Sequence, residues 1–392
     1  MKKKIMVALV FVCLGTVLLF LQSWFATNQI EEHIKAMTIE EKIGQMVIVG
    51  LDGYTLKDET RRMLEEYYVG GFVLFGENVQ DSAQLLSLVN SLKEANTQDT
   101  PLFFSIDEEG GRVSRLPEEF CPMPVNGEVA EVNDGEFSFQ IGNLLAERVK
   151  ALGFNMNFAP VLDIDSNPDN PVIGDRSFGS TTQIVTRLGL KTMQGIQDRR
   201  VIPVVKHFPG HGDTAVDSHI GLPVLEHDMV RLQNMELTPF QAAIQEGADA
   251  VMLAHILLEK IDSDNPATMS RTIVTDLLRE QMGFSGVVIT DDLTMGAILE
   301  NYDVGQAAVQ AVNAGVDIIL VCHGHQHRVA VLEALRRAVH DGTISMARLD
   351  ESVARIIALK QEYGLTDQAL PAPDIQSINS KTARILNQHQ SD

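Results

Sequence analysis

The sequence predicts an α/β protein of the (β/α)8 TIM-type barrel class, with one catalytic-sized domain behind a hydrophobic amino-terminal segment. Three observations carry that expectation. Eight short apolar runs recur along the chain, most of them continuous rather than alternating, as strands buried on both faces are. Stretches of helical character fall between them. Six of the eight runs are followed at once by polar or ionisable residues, the phase expected when chemistry gathers at the carboxyl ends of barrel strands. A doubly wound open sheet is the alternative.

In order, the expected strands are 45–49, 71–75, 102–106, 155–162, 202–205, 250–254, 286–290 and 317–321. Expected helices occupy 82–95, 137–152, 184–197, 239–246, 273–281 and 304–314. The residues after the last strand, about 70 of them, read as helix and tail.

At the amino end, Lys2, Lys3 and Lys4 precede a run without charge that lasts until Glu31. Such a run is long enough to cross a bilayer, which takes about 20 apolar residues, and the lysines hold its start in the cytoplasm. A cleaved signal peptide is the rival reading, although Trp24 is bulky for the position that would precede a cut after Ala26. Either way 1–28 is an anchor or signal and 29–392 is the functional domain. That domain is expected at the outer face of the cytoplasmic membrane or secreted.

The 392 residues are 45% hydrophobic and 21% charged, ordinary for a globular chain. A formal charge of −22 argues against nucleic-acid binding driven by phosphate neutralisation. Three cysteines (Cys13, Cys121 and Cys322) exclude a disulfide scaffold. Cys121 and Cys322 could bridge in an oxidising compartment, but Cys322 ends an apolar run and is expected as a buried free thiol.

The ionisable clusters come next. Asp291 and Asp292 directly follow an apolar run, where one carboxylate can face the barrel mouth while the other caps or orients. Lys206, His207, His211, Asp213, Asp217 and His219 crowd one Gly- and Pro-containing segment. Asp217 and His219 are two apart, so a turn could seat the carboxylate on one imidazole nitrogen, as an acid/base histidine requires. A metal site built from His207, His211, Asp213 and His219 is the competing reading. Asp107 and Arg115 flank a Gly-Gly pair and could meet one polar ligand, since a carboxylate accepts hydroxyls and a guanidinium donates in a fork. An internally neutralised loop is the plain alternative there. Arg176 could reach a ligand or pair with Asp175. The histidines of the 323–327 segment read as a solvated turn rather than a metal site.

These segments together resemble glycoside hydrolase family 3, in its β-N-acetylglucosaminidase branch. The resemblance spans roughly Met37 to Ala358. It rests on Asp107-Glu108-Glu109-Gly110-Gly111-Arg112-Val113, Asn157-Phe158-Ala159-Pro160-Val161-Leu162-Asp163, Gly174-Asp175-Arg176-Ser177-Phe178, Lys206-His207-Phe208-Pro209-Gly210-His211-Gly212, Asp217-Ser218-His219 and Thr290-Asp291-Asp292-Leu293-Thr294-Met295-Gly296-Ala297. It implies a (β/α)8 barrel and retaining, two-step hydrolysis with no metal or other cofactor. It implies Asp291 as nucleophile and His219 as acid/base with Asp217 as its partner. Asp107, Arg115, Arg176, Lys206 and His207 match sugar-binding positions. The expected substrate is a glycan with a terminal non-reducing GlcNAc, such as a peptidoglycan fragment. A membrane contact is expected through the amino-terminal segment, which departs from the family's cytosolic members, and no protein partner is inferable. A β-glucosidase or xylosidase of the same family, a metal-dependent hydrolase, and a non-catalytic, membrane-tethered glycan-binding module are the competing functions.

Overall fold

Eight parallel strands close into a barrel in the computed structural model, which describes residues 28–389. They are β1 (Val47–Val49), β2 (Gly71–Leu74), β3 (Phe103–Ile106), β4 (Met156–Asn157), β5 (Ile202–Phe208), β6 (Ala250–Leu253), β7 (Val287–Asp292) and β8 (Ile318–Val321). Each pairs with its chain neighbours, and β8 returns to β1 with Ile319 opposite Val47 and Val321 opposite Val49. That closure decides between barrel and open sheet. The expected anchor or signal lies, but for its last residue, outside the described residues. Among those, no helix is long and apolar enough to cross a membrane.

The continuous apolar runs have a direct physical cause. Strands covered by helices outside and side chains inside must be apolar on both faces. Ile48, Phe72, Phe103, Phe104, Val204, Val251, Val288 and Ile319 are all buried completely. Full burial of each such side chain contributes roughly 1.5–3 kcal/mol. Asp81, Asp134 and Asp303 cap the helices Ser82–Ala95, Gly135–Ala151 and Val304–Ala314, each side chain accepting a backbone N–H from the first turn. The helices Thr182–Asp198, Leu237–Gln245 and Thr272–Gln281 also fall within two residues of expectation. The last is π-wound, and the backbone N–H of Met282 reaches back to Leu277.

Several expectations need correction. Gln45 ends the helix Ile39–Gln45, which a Thr38–Glu41 capping box starts, so β1 is shorter than the apolar run. The strand expected over 155–162 is regular only at Met156–Asn157, because Pro160 has no N–H to continue the ladder, and the chain rejoins β5 through a bridge at Val161 and Lys206. β5 and β7 run past the apolar residues to take in Lys206, His207, Asp291 and Asp292. Their polar side chains have buried partners at the barrel mouth, so apolarity alone underestimates the strands. The tail is helical: His325–His340, Met346–Glu362 and Ile375–His389. His325 and His327 therefore belong to a helix start, not to a solvated turn. The last helix packs on Gly135–Ala151, and its Asn379 accepts from the Cys121 N–H (2.9 Å) and donates to the Glu119 carbonyl (2.7 Å). Cys121 and Cys322 are free thiols.

The amino end of the barrel is tied by one carboxylate. Asp317, buried completely at the start of β8, accepts from Val288 N–H (3.0 Å), Ser352 Oγ (2.8 Å), Arg348 (2.9 Å), Arg355 (3.1 Å) and Arg279. Replacing it leaves Arg279 with no acidic partner and Arg348 and Arg355 with Glu351 alone, and breaking a buried ion pair costs about 3–5 kcal/mol. Urea unfolding of Asp317→Ala is expected to show a loss of that order. The turnover per folded molecule should be unchanged, because Asp317 lies at the end of the barrel opposite the site described next.

Candidate active site

A cavity of about 460 Å³ opens at the carboxyl ends of the strands. Asp107, Arg115, Arg176, Lys206, His207, Asp217, His219 and Asp291 all line it. These are the eight residues that the family resemblance implies for the site.

A chain of alternating charge forms one wall. Lys206 Nζ lies 2.6 Å from Asp107 Oδ1 and 2.6 Å from Glu109 Oε1. Glu109 in turn receives Arg176 through a two-pronged pairing, Nε at 2.9 Å and Nη2 at 2.8 Å. Glu109 and Lys206 are buried. Burial alone would strip their charges, but each partner's charge outweighs it. Glu109 is held well below the ordinary carboxylate range by Lys206 and Arg176, and Lys206 is held above its ordinary value by Asp107 and Glu109. The loop can double back only because Gly110 and Gly111 adopt φ of +92° and +53°. A Cβ on Gly111 would meet Val125 Cγ1 at 1.8 Å. Arg176 does not pair with Asp175, which is taken by Arg112 (2.8 Å). Arg115 lines the cavity with a buried Nε that has no hydrogen-bond partner among the described residues.

His207 is aimed from behind. Its Nδ1 lies 2.7 Å from Asp163 Oδ2, and its backbone N–H donates to Asp163 Oδ1 (3.2 Å). Asp163 also accepts from the His211 N–H (2.7 Å) and is fully buried. Sequence reasoning placed Asp163 at a strand end but gave it no task, since its role depends on a contact across the barrel mouth. His211 lies between Thr214 Oγ1 (2.7 Å) and Ser218 Oγ (3.1 Å). Burial, reinforced by His207, pushes its pKa down to about 4, so it stands as a neutral strut.

Asp291 is the penultimate residue of β7, and one of its oxygens accepts from the Asp292 N–H (2.8 Å). Burial resists its ionisation. Electrostatic interaction with His207 and His255, that N–H and Lys206 together win, and hold the carboxyl below the ordinary aspartate value. Asp292 has a different task, accepting from Thr294 N–H (2.9 Å), Thr294 Oγ1 (2.5 Å) and Cys322 N–H (2.9 Å). Both carboxylates line the cavity, and Asp292 also organises the turn. Beneath them His255 is buried, within 3.0 Å of the Asp292 carbonyl.

Asp217 and His219 meet as their spacing suggested. A single oxygen, Asp217 Oδ1, lies 2.8 Å from both the His219 N–H and its Nδ1. That contact fixes the tautomer and leaves Nε2 for proton transfer. The His219 side chain is 66% exposed, so it stands at the rim where water can reach it. The donor set of the metal reading is not brought together: His207 turns to Asp163, His211 to Thr214 and Ser218, and His219 to Asp217. No group of three or more His, Cys, Asp or Glu among the described residues is arranged to hold a metal ion. His323 lines the rim against Phe75, with ring centroids 5.0 Å apart.

Comparison with known proteins is consistent across sequence and structure. The model of the glycosyl hydrolase family 3 N-terminal domain matches residues 38–359. Beta-hexosaminidase A of Pseudoalteromonas piscicida is 36% identical over 342 residues, which cover 81% of this chain and 57% of that relative. The chain thus spans little more than half the length of that protein. A beta-hexosaminidase of Hydrogenovibrio crunogenus is 35% identical over 323 residues, 79% of this chain and 88% of the relative. Among solved structures, a glycoside hydrolase family 3 beta-N-acetylglucosaminidase from Paenibacillus sp. superimposes with a TM-score of 0.84 at 42% identity, covering 89% of this chain and 68% of that one.

The Asp163–His207 contact makes a prediction. Asp163→Asn keeps the shape but takes the carboxylate charge out of the contact with His207 Nδ1. Loss of a hydrogen bond to a charged group costs about 1.5–3 kcal/mol, so kcat/KM is expected to fall by roughly tenfold or more, which steady-state kinetics of both proteins checks.

Proposed function

The chain belongs to glycosyl hydrolase family 3, and on that premise we propose that it is an exo-acting, retaining β-N-acetylglucosaminidase releasing terminal GlcNAc from peptidoglycan fragments or related glycans. The observation that carries the reading is the pairing, in one cavity, of an ionised carboxylate at Asp291 with an imidazole oriented by Asp217.

The chemistry follows from those two groups. In the first step a carboxylate oxygen of Asp291 bonds to the anomeric carbon while the glycosidic C–O bond breaks. His219 gives its proton to the departing oxygen. In the second step water attacks the anomeric carbon, His219 takes the water's proton, and the Asp291 carboxylate leaves. Two inversions give net retention. The low pKa of Asp291 keeps the nucleophile charged, whereas burial without His207, His255 and Lys206 would quench it. An imidazole as acid/base avoids a second anion beside Asp291, so each group can hold its own protonation state. Asp107 can accept sugar hydroxyls, and Lys206, Arg176 and Arg115 supply donors.

The place of action follows from the amino end. Lys2, Lys3 and Lys4 ahead of an uncharged run support export, with the barrel on the outer face of the cytoplasmic membrane or secreted. The strongly acidic chain repels anionic wall polymers over about 10 Å at moderate salt, which favours small fragments over intact wall as substrate.

Chromogenic β-N-acetylglucosaminide, β-glucoside and β-xyloside, each offered to the full chain and to Asp291→Asn, test the reading. The wild type should turn over the acetamido sugar and largely reject the other two, and the variant should lose several orders of magnitude. Comparable turnover of the β-glucoside, or an active Asp291→Asn enzyme, would contradict it.

A further inference from the structure

Between β5 and the helix Met229–Asn234 the chain leaves the barrel, presents Asp217 and His219, and returns through Val224–Leu225, which pairs with Leu257–Leu258. Asp213 stands where this excursion departs and His227 where it returns. His227 Nε2 lies 2.9 Å from Asp213 Oδ2, an ion-pair distance without hydrogen-bond alignment. We infer that Asp213 and His227 form a clasp across the neck of this loop and are positioning residues for His219. The inference rests on the proposed role of His219 as acid/base.

The surroundings of the pair are built to hold it. The second oxygen of Asp213 accepts from Ser166 Oγ (2.7 Å). Gly212 lies so close to the preceding barrel loop that a Cβ would sit 1.7 Å from the Ile164 carbonyl oxygen. The departing strand of the neck is therefore fixed against 164–166. On the returning side, the buried Glu236 lies 4.0 Å from His227 Nε2 and is itself paired with Arg231 at 2.9 Å. His227 stands between two carboxylates, with the Arg231 guanidinium beyond Glu236, and its side chain is 16% exposed.

The tip of the loop is held more lightly. Ala215, Val216, His219 and Ile220 are exposed. Tip contacts to the rest of the barrel are backbone bonds from Gly296 to the His219 carbonyl (3.2 Å) and from Ala297 to the Ser218 carbonyl (3.0 Å), with the His211–Ser218 contact at its base. A loop whose neck is closed has fewer conformations to lose when its tip takes up the working position. A displacement of about 1 Å at a reacting group can cost about 10²-fold in rate. Neither Asp213 nor His227 lines the cavity, so their effect on catalysis passes through the placement of His219. Asp213 is thus not a metal ligand in this arrangement but half of the clasp.

The test compares two substrates with one enzyme stock, so that the fraction folded cancels in the ratio. Phenyl β-N-acetylglucosaminide needs a proton on its leaving oxygen; the dinitrophenyl analogue does not. General acid assistance contributes about 10²–10⁴-fold, so His219→Ala should lose about that much kcat/KM on the phenyl substrate and little on the dinitrophenyl one. His227→Ala and Asp213→Ala should show the same bias at smaller amplitude, about tenfold, and the double variant should be no worse than either single one. His227→Gln, which keeps a donor at the neck, should recover part of the loss. Equal losses on both substrates, or no loss, in His227→Ala while His219→Ala keeps its bias would overturn the clasp alone. An unbiased His219→Ala enzyme would overturn the acid/base reading and the clasp with it.

Discussion

The site depends on a buried ammonium. Lys206, at the end of β5, holds Asp107 and Glu109 from the loop after β3, each at 2.6 Å. Glu109 then holds Arg176. No member of this chain of charges is stable alone where it sits, because removing one partner of a buried pair leaves an uncompensated ion. The set is therefore kept together or lost together. It fixes the wall that offers hydroxyl acceptors and donors, and the Lys206 charge also reaches Asp291 and helps keep it ionised.

The two groups proposed to react, Asp291 and His219, are mounted differently, and the proposed chemistry explains why. Asp291 belongs to a barrel strand, is backed by buried histidines and receives a backbone N–H, so its charge and position are set by rigid elements. His219 stands on a loop, largely exposed, with only its Nδ1 committed. A nucleophile has one target atom. An acid/base must serve a leaving group and later a water molecule, and a rim position admits both. The cost is that the loop needs its own means of placement, and the structure supplies contacts at the neck and through His211.

Much of this was legible in the sequence, for reasons that lie in particular residues. Strands buried on both faces write themselves as continuous apolar runs, so all eight were visible. Asp217 and His219 are two residues apart, a separation at which local geometry alone brings carboxylate to imidazole. What stayed hidden depends on distant contacts. Lys206 and His207 look like loop residues until their partners Asp107, Glu109 and Asp163 are seen beside them. Asp163 gives no local sign of holding His207, which is 44 positions away in the chain. The pairing of Arg176 with Glu109 rather than Asp175 is likewise decided across the barrel mouth, and His227 carries no signal until the loop returns to Asp213. The alanine-proline step at 159–160 shortened β4 against an otherwise apolar pattern.

The central claim is that Asp291 becomes covalently attached to the sugar during turnover. The most direct measurement is mass-spectrometric peptide mapping after reaction with an activated fluoro-sugar analogue of GlcNAc, chosen so that the glycosyl-enzyme forms faster than it hydrolyses. The account predicts one glycosyl group per chain, carried by the Asp291 side chain, with inactivation in step with labelling. A label on another residue, or rapid turnover of the analogue to a product of inverted configuration with no adduct, would contradict it.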